Sequence, residues 1–274
     1  MTIEEVFKNK ELLLAQKKNA IKHGDNVLNS LKTVSKSEAT KEAMTIENDK
    51  PTILNAKLVI NTTNVIDSHM DCHINGLWNK SLNETKLLYL LQEHEMEFDK
   101  VIADSVKDNL KAYVQNVSFK SLGYNYDGNT EALVFETQIK KDVNEFMFDK
   151  YKQGRVYNHS VGMRYVKIYL CINSNEPMYA SEKDNWDKYY PQVANKEVAD
   201  EKGYFWAVTE AKVIEGSAVI KGSNECTPVM EIEIEKEFEA DKVTSSNAQT
   251  EPTNQVTQEQ EKKQFFINLI KDKK

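Results

Sequence analysis

The sequence predicts an α+β fold in which strands predominate. Residues 110–120 alternate apolar and polar side chains, as a half-buried strand does. Residues 157–170 carry β-branched, aromatic and large apolar side chains in a nearly continuous run, which is typical of a mostly buried strand. Residues 142–152 place apolar side chains at helical spacing. Together these patterns predict a mainly β core accompanied by a few helices.

The composition is that of a globular protein, with 40% hydrophobic and 29% charged residues. A net charge of −7 and the lack of a long basic run argue against nucleic acid as the main partner. No apolar run approaches the roughly 20 residues that span a bilayer, and residues 1–18 do not resemble a signal peptide. The three cysteines are widely spaced, which predicts a reducing compartment without disulfides. We therefore expect an intracellular, soluble protein.

Changes in composition divide the chain into three parts. Residues 1–50 combine an amphipathic helix pattern at 3–23 with a polar linker, and we expect an arm outside the core. Residues 51–230 contain the predicted strands and form the candidate domain. Residues 231–274 are acidic and polar, which predicts a flexible or cleavable tail, although its end at 264–274 is an amphipathic patch that could dock as a helix.

The candidate domain contains further predicted elements. Strand-like runs also occur at residues 53–60, 132–139 and 204–222. We expect the last of these runs to break into two strands near Glu215 and Gly216. The apolar run 86–94 is compatible with either a strand or a helix. Residues 173–202 are polar and predict a long surface excursion with a short helix at 193–201.

Ser160 is the first candidate for chemistry, because it lies near the start of a buried strand. Gly162 follows two residues later, where a bare backbone permits close approach by another chain. Arg155 and Arg164 flank the serine and are the only arginines among the 36 Lys and Arg residues, which suggests a need for the guanidinium fork here. A core serine without chemistry is the preferred interpretation unless a partner base exists.

The histidines are the candidate bases. His159 adjoins Ser160, but neighbouring side chains on a strand point to opposite faces, so it is a poor base for that serine. His94 ends the apolar run 86–94 and is placed like a general base at the mouth of a buried element. An exposed histidine on an acidic surface fits the same pattern equally well. His23 lies in the predicted arm.

His69 and His73 lie close to Asp67, Asp71 and Cys72 in a segment rich in turn formers, and this cluster looks like a metal site. Two histidines four residues apart are weak support, and nothing downstream supplies the further ligands that zinc needs. Structural histidines are the preferred interpretation, and a metal hydrolase centred on His69, His73 and Asp71 is the less favoured one. We expect neither a metal nor a cofactor.

Glu215 is a candidate for the group that orients an imidazole. It is framed by apolar residues, and acids in such runs are seldom buried unless they are paired. An outward-facing residue at a sheet edge is the more common case. Glu210, five residues earlier, is an alternative acid.

Three segments, taken in order, resemble the motifs of a known family: LLYLLQEHEMEFDKVIAD, GRVYNHSVGMRYV and EAKVIEGSAVIKGSNECTPV. They are similar to those of the prohead maturation proteases of tailed bacteriophages, which are distantly similar to the herpesvirus assemblins. That family has a histidine closing an apolar strand, a serine in an S-x-G strand, and a late E-x-S-x-V segment followed by an asparagine. The similarity covers residues 55–228, and the matching positions are His94, Ser160, Gly162, Glu215, Ser217, Val219 and Asn224.

The resemblance implies a serine endopeptidase on an assemblin-like closed β-barrel wrapped by a few helices. Ser160 would be the nucleophile, His94 the base, and Glu215 the group that holds the imidazole, with Glu210 as the alternative third member. We further hypothesise that Arg155 or Arg164, together with Gly162, supports the oxyanion site.

The resemblance also implies a biological setting. Such proteases act inside the immature phage capsid in the host cytoplasm, where they process capsid and scaffold proteins and often themselves. Capsid and scaffold proteins are therefore the expected partners, a homo-oligomer is allowed, and neither nucleic acid nor membrane is expected. The alternative is a catalytically inactive capsid assembly or scaffold protein with the same fold, and whether the chain also supplies scaffolding is open.

Overall fold

Two β-sheets form the framework of the computed structural model, which describes residues 1–20 and 52–234. The strands of these residues are β1 (Ile53–Thr62), β2 (Asp71–His73), β3 (Tyr89–Gln92), β4 (Val101–Asp104), β5 (Lys111–Ser118), β6 (Asn129–Lys140), β7 (Asn158–Ile172), β8 (Tyr204–Val219) and β9 (Val229–Ile234). The α-helices are α1 (Ile3–Lys8), α2 (Lys10–Asn19), α3 (Asn79–Glu84), α4 (Glu145–Lys152), α5 (Ala180–Tyr189) and α6 (Lys196–Lys202). Short 3₁₀ helices occur at Phe98–Lys100, Lys120–Leu122, Pro177–Tyr179 and Tyr190–Gln192.

The fold is α+β and consists mainly of strands, as predicted. One sheet has the strand order β5-β6-β1-β9, with antiparallel neighbours throughout. In the other sheet, β8 pairs in parallel with β2 and β3 and antiparallel with β7, while β4 pairs antiparallel with β3. In the part of the chain that is described, no ladder joins the two sheets. The predicted closed barrel is therefore not confirmed, because the sheets remain separate and open.

The main hydrophobic core includes the region where β8 approaches the four-stranded sheet. A Cβ added to Gly216 of β8 would lie 2.7 Å from Cε2 of Phe135 and 3.0 Å from Cγ2 of Ile60. Both of these side chains are fully buried. The absence of a side chain at Gly216 thus allows the two sheets to pack closely at this point.

Most strand predictions are confirmed, because strongly alternating or continuously apolar runs leave little choice of period. The runs 53–60, 110–120, 132–139 and 157–170 overlap β1, β5, β6 and β7 respectively. The ambiguous run 86–94 contains strand β3. The predicted break near Glu215 and Gly216 is wrong, because β8 is one continuous strand. Its pairing with β7 shifts register between Gly162 and Met163, so a bulge accommodates the irregularity without ending the strand.

The helix predictions hold in part. Helix α4 occupies the predicted segment 142–152, and α6 lies at the predicted short helix near 193–201. The segment 173–202 is more than a surface excursion, because it also forms α5. That helix buries Trp186 and Tyr189. The residues next to Trp186 and Tyr189 in sequence are mostly polar, so the sequence pattern did not indicate this apolar helix face.

The expectation that the N-terminal arm stands outside the core is wrong for the described residues. A capping box at Thr2 begins α1, and the chain turns at Asn9 into α2. Val6 is fully buried in the main core. Lys10 Nζ lies 2.6 Å from Glu182 Oε1 on α5, which fixes the arm to the rest of the fold.

The predicted tail begins later than the composition suggested. Strand β9 continues to Ile234 and pairs with β1, so residues 231–234 belong to the sheet. The predicted linker and the amphipathic patch at 264–274 lie outside the described residues. Among the helices that are described, none is long and apolar enough to cross a membrane.

Candidate active site

The three segments that carry the family resemblance lie on adjacent strands. Strand β8 is central, with β3 on one side and β7 on the other. Ser160 of β7 is opposite Ser217 of β8, and Gly162 is opposite Glu215. Directly opposed residues in an antiparallel pair share a face of the sheet. One face therefore carries Ser160, Gly162, Glu215 and Ser217.

His94 enters this face through an unusual turn at the end of β3. Glu93 has a φ of 51° and His94 a φ of 61°, which places two consecutive non-glycine residues in the left-handed region. Each such residue costs on the order of 1–3 kcal/mol, and strain of this kind often accompanies function. The turn is held by the Glu93 N–H, which donates to the Ala218 carbonyl at 3.0 Å. It is also held by the His94 N–H, which donates to Ser217 Oγ at 3.2 Å.

The His94 imidazole is paired with a buried carboxylate. Its Nδ1 lies 2.7 Å from Glu215 Oε1, and the two side chains are 4% and 0% exposed. An ionised carboxylate only accepts hydrogen bonds, so Nδ1–H is the donor and the neutral ring keeps Nε2 as its basic nitrogen. The second oxygen, Glu215 Oε2, accepts a hydrogen bond from Ser217 Oγ at 2.6 Å. This arrangement suits an imidazole that takes and returns a proton at Nε2.

Gly162 makes room for that carboxylate. A Cβ at position 162 would lie 1.8 Å from Glu215 Oε1, a distance that no side chain could tolerate. The glycine is thus explained by the close approach of Glu215. Its predicted support of an oxyanion stays a prediction.

Ser160 is 5% exposed and occupies the same face one strand away from Glu215. The hydrogen bond between a nucleophile and its base is often long before a substrate binds and shortens in the complex. A Cβ on Gly222 would lie 3.6 Å from Ser160 Cβ, so the loop after β8 passes beside the serine.

Asn224, the asparagine that follows the late motif, fixes this loop. Its Nδ2–H donates to the Thr62 carbonyl at 2.8 Å, and its Oδ1 accepts from the Cys226 N–H at 2.9 Å. Asn224 is buried, so its part in the motif is to hold the loop against β1.

His159 points away from the candidate site, as strand alternation predicts. Its Nε2 lies 3.0 Å from the Tyr151 hydroxyl, and its Nδ1 lies 3.1 Å from the Thr227 carbonyl. A carbonyl only accepts, so Nδ1–H donates to Thr227 and the Tyr151 hydroxyl donates to Nε2. Burial lowers the pKa of His159 to about 4. The ring is therefore a neutral structural group.

Glu210, the alternative third member, is engaged elsewhere. Its carboxylate pairs with Lys167 Nζ at 2.6 Å and with Lys80 Nζ at 3.2 Å. Hydrogen bonds from Lys167 and then Lys80 lower the pKa of the Glu210 carboxyl. Glu215, by contrast, is the acid in contact with His94.

The two arginines lie at the periphery. Arg164 shares the strand with Ser160, but its side chain is exposed. Arg155 contributes to the wall of a cavity of about 540 Å³ next to the His94 turn. The other lining residues are Gln92, Glu93, Phe146, Met147, Lys150, Val156, Tyr157, Ala218, Val219 and Ile220. The proposed bracing of an oxyanion by either arginine stays a prediction.

The suspected metal cluster has a different membership from the one predicted. Asp67, His69 and Asp71 place ligand atoms within 4.8 Å of one another. His73 is directed elsewhere, with its Nδ1 2.9 Å from Asn61 Oδ1. The protein itself supplies a cation to this cluster, because the Lys17 ammonium forms an ion pair with Asp71, with Nζ 2.6 Å from Oδ1.

Ser217 lies within the late E-x-S-x-V segment, but the sequence indicates no role for it. Its hydroxyl contacts His94 across 123 residues of sequence, so no local pattern could have indicated the bond.

Comparison of the chain with protein-family models, with curated proteins and with solved structures gives no match.

Proposed function

We propose that this chain is a serine endopeptidase of the prohead maturation type. The observation that carries the proposal is the buried His94–Glu215 pair at 2.7 Å, formed on the sheet face that also carries Ser160. A hydroxyl, an imidazole and a carboxylate in this order are the groups that acyl transfer from a peptide requires. The assemblin-like barrel is part of this proposal.

The proposed reaction is an acyl transfer through Ser160. Ser160 Oγ attacks the scissile carbonyl carbon while His94 Nε2 takes its proton. The tetrahedral intermediate collapses when the same nitrogen protonates the departing amine, which leaves an acyl-enzyme. Water, deprotonated by His94, then releases the acid and restores Ser160. Glu215 holds Nδ1–H throughout and stabilises the imidazolium that forms.

The oxyanion needs two hydrogen-bond donors near Ser160. The main chain at Gly222 passes beside this residue and is one candidate source. Bracing of the donating backbone by Arg155 or Arg164 is the other hypothesis. Replacing each arginine with lysine tests it, since full turnover in both variants would remove the arginines from the mechanism.

The proposed substrates are capsid and scaffold proteins inside the immature capsid, together with the chain itself. The cavity beside the His94 turn is lined largely by apolar side chains, which suits contact with the side chains of a peptide substrate. The polar segments that the sequence assigns to the linker and the tail are the expected places of self-cleavage.

Self-processing gives the direct test. The wild-type chain and Ser160→Ala are expressed, and their masses are followed by intact-protein mass spectrometry. We expect shortened species from the wild type only. Processing that persists in Ser160→Ala would exclude Ser160 as the nucleophile.

A matched pair of acid variants tests the third member. Glu215→Gln should reduce processing by about 10³- to 10⁴-fold, as loss of the orienting carboxylate does in other triads. Glu210→Gln, an acid on the same strand, should process like the wild type. A fluorophosphonate probe provides a readout that needs no substrate, because it labels an activated serine. Absence of labelling at Ser160 in a folded wild-type chain would favour the inactive assembly protein.

A further inference from the structure

The Ser217 hydroxyl lies between the two partners of the candidate catalytic pair. It accepts a hydrogen bond from the His94 N–H at 3.2 Å and donates one to Glu215 Oε2 at 2.6 Å. Ser217 is fully buried, as is Glu215. One hydroxyl thus contacts the backbone of the candidate base and the carboxylate that orients its ring.

The first of these bonds acts on a strained element. His94 has a left-handed backbone, which a histidine adopts only when its surroundings impose it. The bond from its N–H to Ser217 Oγ fixes the turn relative to β8. The position of the ring therefore depends on Ser217 as well as on Glu215.

The second bond acts on the carboxylate. Glu215 Oε1 faces His94 Nδ1, and Oε2 faces Ser217 Oγ. Hydrogen bonds to both oxygens restrict rotation of the carboxylate plane, and bonds to a charged acceptor are stronger than bonds between neutral groups. Without the hydroxyl, the carboxylate would lose the donor that keeps Oε1 directed at the imidazole.

We propose that Ser217 is a positioning residue that couples the orientation of Glu215 to the turn at His94. It acts through these two residues, since Ser217 itself is fully buried. This inference rests on the proposed protease function, and it assigns a role to a residue for which the sequence offered none.

The test measures the rate at which a fluorophosphonate probe labels Ser160. Ser217→Ala should lower this rate by about 10- to 100-fold, which corresponds to loss of one hydrogen bond to a charged group. Ser217→Thr, which keeps the hydroxyl, should recover part of the loss. Ser181→Ala changes an exposed serine on α5 and should label at the wild-type rate.

A spectroscopic measurement separates positioning from general loss of structure. In the Ser160→Ala background, where no labelling or processing occurs, the His94 Nδ1 proton should give a downfield ¹H resonance that disappears in His94→Gln. We expect Ser217→Ala to shift or broaden this resonance while the far-ultraviolet circular dichroism is unchanged. If Ser217→Ala does not fold, Ser217→Cys, which is nearly isosteric and a weak donor, replaces it in both measurements.

The two failures are distinguishable. A folded wild-type chain that the probe does not label contradicts the protease function. A wild-type chain that is labelled, beside a Ser217→Ala variant with the same labelling rate and the same resonance, contradicts the role of Ser217 alone.

Discussion

Individual residues in this fold carry charge states that their burial dictates. His159 is the clearest case, because it is neutral between a tyrosine hydroxyl and a backbone carbonyl although it adjoins the candidate nucleophile. Its neighbour in sequence faces the candidate active site, whereas His159 faces the core. Because neighbouring side chains on a strand point to opposite faces, His159 is a structural residue of the core, whereas Ser160 faces the candidate active site.

The low pKa of His159 makes stability depend on pH. The pKa falls from 6.5 in the unfolded chain to about 4 in the folded one, so between these values the unfolded state binds more protons. This contribution to the free energy of unfolding is fully present above pH 6.5 and is lost as the pH falls towards 4. Each unit of difference between the folded and unfolded pKa corresponds to about 1.4 kcal/mol, so the loss of stability amounts to about 3 kcal/mol.

Urea denaturation of the wild type and of His159→Asn at pH 7 and pH 4.5 measures this term. Asparagine can keep a donor for the Thr227 carbonyl but has no group that titrates in this range. We expect the wild type to lose more stability than the variant on acidification. Equal losses in the two proteins would show that His159 does not titrate as its burial requires.

At the scale of the element, α1 and α2 pack against the folded domain, although the sequence predicted an arm outside the core. Lys17 of α2 reaches Asp71, whose side chain is fully buried and also accepts a hydrogen bond from Tyr165. The ammonium of Lys17 also lies 5.7 Å from the ring centroid of Trp206. A buried carboxylate that loses its cation is strongly destabilised.

Lys17→Met should therefore destabilise the protein by about 3 kcal/mol. Lys18→Met is the matched control, because Lys18 is exposed on the same helix and its replacement should change stability by less than about 0.5 kcal/mol. Chemical denaturation of both variants gives the comparison. Similar stability of the two would mean that α2 contributes little to the folded domain.

The elements also show where sequence patterns are sufficient. The strand β7 follows from its own residues, because a run of β-branched and aromatic side chains has few alternatives. The continuity of β8 does not, because Glu215 and Gly216 look like a break when read locally. Glu215 contacts His94 of the turn after β3, and Gly216 lies against Phe135 of β6, and neither partner is near in sequence.

At the scale of the whole molecule, the fold keeps its thiols in the interior. Cys72, Cys171 and Cys226 are buried and form no disulfide with one another. Burial, and then the nearby Glu225 carboxylate, raises the pKa of the Cys226 thiol to about 12. Burial likewise raises the pKa values of Cys72 and Cys171. The thiolate is the reactive form, so all three should be inert in the folded protein.

A thiol titration with Ellman's reagent checks this expectation. We expect three rapidly reacting thiols in denaturant, and reaction slower by at least about 100-fold in native buffer at pH 8. Fast native reaction of any one thiol would mean that its part of the core opens readily.

The arrangement of the whole molecule depends on contacts between residues that are far apart in the chain. Composition and period gave the α+β class and most strands, while the resemblance supplied His94, Ser160 and Glu215. The two open sheets, the docked arm and the Ser217 contacts depend on long-range pairing, which no local pattern encodes. The contact between His94 and Glu215 alone spans 121 positions of the chain.

That separation has a consequence for the timing of chemistry in the proposed protease. The base and the nucleophile precede β8, and the orienting acid lies within it. A nascent chain on the ribosome contains His94 and Ser160 before it contains β8, the strand that lies between β3 and β7. Hydrolysis must therefore wait until translation has passed β8, which protects unfinished copies and their neighbours from premature cutting.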